Sequence, residues 1–406
     1  METDPPIVDA SRRSPFHELF AARGAVFDGT CGWSYPIWFR SDDPSSASAL
    51  TGTNEDRSAN RREQLLLRQN VGVFDCSALA HLLIIGPDSM VFLNELFTSN
   101  LDIKLGKVVH THWCETDGTI FADVVISRHA HDRFLIALND TSQRQVAARL
   151  ADEIETGRSN CHVVDMSSGF ATLIVAGPLA RAALQPLTAR SLAQEDFSPM
   201  TFQEIVLANA PVTVMRVSYV GEVCFELHIP TEYGWAVGNE VLRACEGLGG
   251  GAVGMNTVYA LGSEFGMVDF DYNFDSTYTP FEIGVASTIS WDKPGGFRGR
   301  AALAVQHRTG QPPQRLAFAH THEHAAKLKA GAVVRRDGFP VGTVQTVDVG
   351  HTVNELIAVV RLAHADGVTP NWLSDGRWEI DTPTDRVAVA ISTKGLYDPE
   401  RRQSRS

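Results

Sequence analysis

Three stretches of the chain put chemically capable side chains in unusual company, and a fourth gathers histidines. From Met215 to Ile229 the odd positions Met215, Val217, Tyr219, Val223, Phe225, Leu227 and Ile229 are apolar, while the even ones include Arg216, Ser218, Glu222, Glu226 and His228. That period of two is the signature of a half-buried strand. The run is too long for one ordinary strand, so Gly221 is expected to mark a bulge or bend. Glu222 is then either solvated, as Glu226 would be, or a carboxylate turned into a site by the bend. Asp123 stands among Ala122, Val124 and Val125. A carboxylate facing an apolar cleft can be tuned to stabilise a cation or move a proton, whereas a strand-end turn residue does neither. Residues 254–275 collect Tyr259, Asp269, Asp271 and Tyr272, acidic and aromatic character that suits a cationic or phenolic ligand, or else an exposed loop. HTHEH places His320, His322 and His324 on one strand face, but the spacing matches no strong zinc pattern. An exposed strand end and no metal are expected there.

The elements that must carry these residues follow from the pattern. HLLIIGPDSMVFLNEL (81–96) and ATLIVAGPLARAAL (171–184) both read as an apolar strand, Gly-Pro, then an amphipathic helix. Each precedes a region of alternating hydrophobicity, the first cut into three short strands by TDG and HAHD. Two such units predict an α+β body of pseudo-repeats. Residues 42–63 predict a surface loop running into a short helix. From about Gln311 short strands joined by Asp-Gly and Gly turns predict a separate small β-barrel or sandwich, so the expected division is a body over 1–310 and a barrel domain over 311–406.

The 406 residues suffice for more than one core. Hydrophobic content of 44% with a net charge of -13 describes an ordinary globular protein rather than a nucleic-acid binder, whose footprint is a basic stripe. The six cysteines include no C-x-x-C pair, the first residues carry no apolar signal core, and no stretch approaches a membrane span. These features predict a cytoplasmic protein.

The order of motifs resembles the folate-binding aminomethyltransferases: the glycine-cleavage T-protein and the C-terminal halves of dimethylglycine and sarcosine dehydrogenases. The resemblance rests on VGVFDCSALAHLLIIGPD (71–88), SNLDIKLGKVVHTHWCETDGTIFADVVISR (99–128), TLIVAGPLARAAL, SYVGEVCFEL, TPFEIGVASTI, GFRGRAAL and GLYDPE, in that order along nearly the whole chain. SPFHELFAARGAVFDGTCGWSYPIWF is similar to a lead-in of the dehydrogenase branch. The family implies a three-domain, ring-like α+β fold with two pseudo-repeated units, a C-terminal small β-barrel and tetrahydrofolate in a central hole. It also implies that the protein positions the pterin while a folate nitrogen accepts a one-carbon unit. The chain shows no G-x-G-x-x-G near its start, so the FAD-dependent oxidase half is expected to be missing.

On that resemblance Asp123 is the expected catalytic carboxylate near the reactive nitrogen, and Glu222 the anchor of the pterin's adjacent N–H donors. Asn139, Tyr219 and Thr111 fall on folate-contacting positions. His110, Trp113 and Tyr259 fall where a substrate would touch. Two arginines of the family pattern are replaced by Val258 and Gly262, which removes cations an anionic ligand would want. The leading expectation is a tetrahydrofolate-dependent demethylase or aminomethyltransferase acting on a small methylated substrate, with an oxidase or carrier-protein partner. The alternatives are a folate-independent lyase- or hydrolase-type enzyme on the same fold, and a non-catalytic folate-binding subunit of an amine oxidase.

Overall fold

The computed structural model describes residues 12–30, 32–41, 52–323 and 327–406; the polar arm up to residue 11, Cys31, most of the polar loop at 42–51 and His324 lie outside the described residues. The architecture is mixed α+β, and its two large sheets are built alike. One runs in the order Val108–Cys114, Ile120–Ala130, Arg133–Leu138, Ala80–Ile85, His162–Asp165. The other runs Phe202–Leu207, Ala210–Met215, Cys224–Pro230, Phe170–Ala176, Gly72–Asp75, Gly251–Ala252. In both, the strand of the apolar-strand–Gly-Pro–helix motif lies fourth, beside a three-strand antiparallel meander. The chain interleaves them, because Gly72–Asp75 precedes the first unit yet pairs with Phe170–Ala176 of the second.

Gly86 and Gly177, which end those two fourth strands, have φ of +142° and +130°. A Cβ would lie 2.4 Å from the Asn160 carbonyl oxygen at the first and 2.6 Å from the Asn70 and Leu67 carbonyl oxygens at the second. Only glycine permits that approach, which explains the shared Gly-Pro punctuation.

The strand expected over 215–229 is divided, with Ala210–Met215 ending before the bend and Cys224–Pro230 beginning after it. Gly221 sits in the bend at φ +84°, and a Cβ there would be 2.7 Å from the Phe265 ring. The even face is not wet: Glu222 is 3% exposed, Glu226 1% and His228 0%. Cys224–Pro230 lies inside its sheet, one face on the main core and the other turned toward the rest of the molecule, so alternation in this strand separates two buried faces. The helix after the polar loop is longer than expected, spanning Gly52–Gln69. Ala59, Glu63, Gln64, Leu67 and Arg68 form its buried stripe at helical spacing.

Strands Gln314–Thr321, Glu355–Ala363, Phe339–Gly350, Val333–Arg336, Trp378–Asp381 and Arg386–Ser392 close a six-stranded barrel in that order. Ala317, Ala319, Val334, Ala358, Val360 and Ile380 fill it. The outer residues Leu316, Phe318, Ile357 and Val359 pack on Phe270, Phe274 and Tyr278 of the body, so the first two barrel strands are apolar on both faces. Among the described residues no helix is long and apolar enough to cross a membrane.

Candidate active site

A cavity of about 380 Å³ draws its walls from both sheets. Asp75 ends Gly72–Asp75 and Cys76 follows it, Asn139 and Asp140 follow Arg133–Leu138, and Ile174 comes from Phe170–Ala176. The remaining wall is the helix Met255–Phe265, capped by Gly266 at φ +76°, and the turn after it. That helix presents Val258, Tyr259 and Gly262, and the turn presents Asp269, Phe270, Asp271 and Tyr272. The segment that departs from the family pattern therefore lines the cavity. Tyr259 and Tyr272 stack with ring centroids 4.1 Å apart and 17° between planes. The Asn139 amide donates to the Phe270 carbonyl at 2.9 Å and the Thr141 hydroxyl to Asp271 at 2.5 Å. Those two bonds pin the turn to the first sheet.

Among the described residues the lining holds four aspartates, Asp75, Asp140, Asp269 and Asp271, and no Lys, Arg or His. Burial and the neighbouring Asp123 and Asp348 carboxylates push Asp269 up to about 6, with His110 opposing them. Burial raises the Cys76 thiol well above its ordinary value, and the Glu226 and Asp75 charges add to this, so it is no thiolate nucleophile.

Of the expected site residues, Asn139, Tyr219 and Tyr259 line this cavity. The Tyr219 hydroxyl donates to Glu226 Oε2 at 2.7 Å, and Glu226 Oε1 meets His228 Nε2 at 2.5 Å. Burial alone would raise the Glu226 carboxyl, but the His228 contact and the Tyr219 hydroxyl outweigh it and hold the group below its usual value. A buried carboxylate thus stands directly behind a cavity-lining phenol. Reasoning from periodicity assigned Glu226 to solvent; the face that carries it is closed by a long-range contact, His228 packing on His81 of the other sheet with ring centroids 4.6 Å apart.

Asp123 pairs with His110, Nε2 to Oδ1 at 2.5 Å, and its cross-strand partner His112 brings its Nε2 to 3.4 Å from the same oxygen. Burial opposes ionisation of both members of the pair, but their mutual attraction prevails, lowering Asp123 and raising His110. The cavity-lining Asp269 feels both charges, so the pair stands beside the cavity wall.

Glu222 lies elsewhere. Arg68 donates to it at 3.2 Å and to Glu264 at 2.9 Å, and all three side chains are at most 4% exposed. The Tyr397 hydroxyl also donates to Glu222, and its ring lies 3.6 Å from the Arg68 guanidinium. Burial raises the Glu222 carboxyl, and Tyr397 and Arg68 offset only part of that. Glu264 accepts the Thr352 N–H at 2.8 Å. The cluster joins the helix Gly52–Gln69, the bend, the helix Met255–Phe265 and the barrel. Thr111 is fully buried on the other face of its strand, its hydroxyl accepting the Ser99 N–H at 3.0 Å. Trp113 is fully buried against Phe97 and Phe121 in the first sheet's core. Trp38 is buried and Trp33 half-buried outside the cavity lining, where Tyr35 of the same segment stands instead. His320 and His322 face Glu355 at 3.5 and 3.2 Å, with His322 77% exposed.

Comparison with known proteins places these features in a wider set. The GCVT N-terminal domain family matches residues 16–293, and the glycine cleavage T-protein C-terminal barrel domain family matches 314–398. The chain is 26% identical over 392 residues to 4-methylaminobutanoate oxidase (formaldehyde-forming) of Paenarthrobacter nicotinovorans, covering 96% of this chain and 46% of that protein. It is 24% identical to human mitochondrial sarcosine dehydrogenase, covering 97% and 47%. The chain thus spans under half the length of these two relatives. An aminomethyltransferase of Bacillus velezensis is 25% identical over 82% of this chain and 85% of its own. The crystal structure of the aminomethyltransferase T of the glycine cleavage system from Bartonella henselae superposes with a TM-score of 0.78, at 19% identity, over 94% of this chain and 97% of that one.

Proposed function

The chain belongs to the glycine cleavage T-protein family, and from that membership we propose a tetrahydrofolate-dependent transferase that moves to folate a methyl unit from a small N-methylated ammonium, or the methylene unit of an N-methylene iminium that an amine-oxidising partner supplies. One observation carries the choice of donor: the cavity has four aspartates, two stacked tyrosines and no basic residue. Such a lining favours a cationic ammonium group, which anionic carboxylates and aromatic faces both attract. The names of the relatives, a methylaminobutanoate oxidase and a sarcosine dehydrogenase, are those of enzymes acting on methylated amines.

The residues present also fit a pterin, whose amino and ring N–H donors call for carboxylate or carbonyl acceptors and whose face calls for aromatic walls. They do not fit folate's anionic glutamate tail, which is directed outside this cavity in our reading. Folate supplies the nucleophilic nitrogen. Asp123, held ionised by His110, stabilises positive charge at the reacting centre or takes up its proton. Tyr219, fixed by Glu226, orients the bound ring.

Val258 and Gly262, where the family pattern has arginines, both line the cavity, and this favours a second reading in which a folate-independent enzyme uses the same acidic cavity. Titration with tetrahydrofolate, followed by mass analysis of folate after incubation with N-methylated amines, separates the two. Saturable binding is the expected result, with accumulation of methyl-tetrahydrofolate from the amine alone or of methylene-tetrahydrofolate once an amine oxidase is added to oxidise the amine. Absence of binding at high micromolar folate overturns the first reading. Asp123→Asn is expected to keep folate binding and lose transfer.

A further inference from the structure

His110 and His112 project from the same face of Val108–Cys114, and Asp123 is registered opposite His112 on the neighbouring strand. Their donor atoms lie within 4.8 Å of one another. The separation of His112 Nε2 from Asp123 Oδ1, 3.4 Å, is that of two ligands on one ion at bond lengths of about 2.0–2.2 Å, whereas the 2.5 Å between His110 Nε2 and the same oxygen is a hydrogen bond whose proton the ion would displace as His110 moves back. His112 is 0% exposed, yet its Nε2 has no hydrogen-bond partner.

The other ring nitrogen explains why this matters. The Thr288 hydroxyl lies 2.9 Å from the Val285 carbonyl and 3.3 Å from His112 Nδ1. When it donates to the carbonyl, it accepts the imidazole proton from Nδ1, and the Nε2 lone pair then points at a carboxylate oxygen. Two lone pairs facing each other in a buried site repel unless an electrophile lies between them.

We propose that His110, His112 and Asp123 bind a divalent transition-metal ion of the Zn²⁺, Fe²⁺ or Co²⁺ class, with Thr288 orienting His112 from behind. Two imidazoles and one carboxylate select such an ion over Mg²⁺ or Ca²⁺, which prefer oxygen-only shells. A ligating histidine usually donates its second ring N–H to an acceptor, and the Thr288 oxygen is placed to serve as one. His110 is 32% exposed at its side chain and Asp123 15%, and Asp269 of the cavity is close enough to feel both. The remaining coordination positions therefore open toward the cavity, as in sites that leave room for water or substrate. The second cluster, His81, Glu226 and His228, is fully buried, and its carboxylate is already engaged by Tyr219 and His228; it offers no such opening.

This proposal goes beyond the transferase reading and does not depend on it. A bound ion would occupy the carboxylate that the transfer step uses, so loading would slow transfer, but binding alone tests the site. Chelator-stripped protein is titrated with Zn²⁺ in a calorimeter and with Co²⁺ by visible absorption. The expected result is one ion per chain, with Co²⁺ giving the d–d bands of a low-coordinate site. Because His110 is partly exposed, His110→Ala should fold, and it should weaken binding more than ~100-fold; Thr288→Ala should weaken it ~10–100-fold, the range for lost outer-shell support. His81→Ala should leave it unchanged. No saturable binding at micromolar metal, or binding that survives His110→Ala, or binding abolished by His81→Ala, overturns the proposal. In the first of these cases a proton on Nε2 fills the gap instead.

Discussion

Replacing Arg68 by methionine tests whether the Glu222 cluster is a structural joint. The guanidinium donates to Glu222 at 3.2 Å and Glu264 at 2.9 Å, with every side chain nearly closed to water. Removing the cation leaves two buried carboxylates with no counter-charge, held only by the Tyr397 hydroxyl and the Thr352 N–H. Breaking a buried ion pair from one side costs about 3–5 kcal/mol. An unfolding entropy of about 2.1 cal/mol/K per residue amounts to roughly 0.8 kcal/mol/K for a chain of this size, so Tm should fall by about 4–6 °C if the molecule unfolds as one unit. Calorimetry measures this directly. The same substitution combined with Glu222→Gln and Glu264→Gln should recover most of the loss, because neutral amides need no counter-charge. A fall in Tm below about 1 °C for Arg68→Met, or no recovery in the triple variant, would refute the reasoning. Glu222→Gln alone divides the two roles considered for that residue: a joint predicts a lower Tm with folate affinity unchanged, a ligand anchor the reverse.

Three further perturbations have signs set by the structure. Asp269 is raised from 3.8 to about 6, so the folded state holds its proton more tightly than the unfolded chain between those values. Its contribution is present below pH 4 and lost as pH rises through 6, up to roughly 3 kcal/mol before solvent screening. Denaturation of Asp269→Asn and the parent at pH 4 and pH 7 should therefore show the variant gaining relative stability at the higher pH, and parallel profiles would contradict it. Tyr219→Phe removes a donor from the buried Glu226 and should destabilise by about 1–3 kcal/mol in urea titrations. Gly221→Ala forces a side chain into φ +84° and against Phe265 at 2.7 Å; a loss of about 1–3 kcal/mol is expected, read as a drop in Tm.

The fold was largely legible because its devices are local. The alternating runs gave the antiparallel meanders, the Gly-Pro echo marked the two equivalent strands, and the Asp-Gly turns announced the barrel. What escaped was long-range. The helix Gly52–Gln69 was expected to be short, after a loop, because its composition is polar and its buried stripe includes Glu63, Gln64 and Arg68. Those side chains are buried only because distant groups satisfy them: Glu63 by the Phe39 and Gly254 N–H groups at 2.8 Å, Arg68 by Glu222 and Glu264. No window of sequence contains such partners.

The site divides along the same line. Asn139, Tyr219 and Tyr259 line the cavity, and Asp123 with His110 stands beside it, whereas Glu222, Thr111 and Trp113 are held in other contacts. Glu222 and Glu226 were equivalent by periodicity, since both occupy even positions of one alternating run. The bend at Gly221 separates them: Glu222 is in the bend, where Arg68 and Tyr397 reach it, and Glu226 is in the strand, four residues on, where Tyr219 folds back to meet it. A strand with one wet face would have exposed both. Here Arg68 and Tyr397 cover Glu222, and Tyr219 with the His81–His228 ring contact closes the face that carries Glu226, so each carboxylate had to find a partner. Glu222 meets an arginine that also holds Glu264. Glu226 found a phenol on the cavity wall, which gives it a line of contact to whatever the cavity holds.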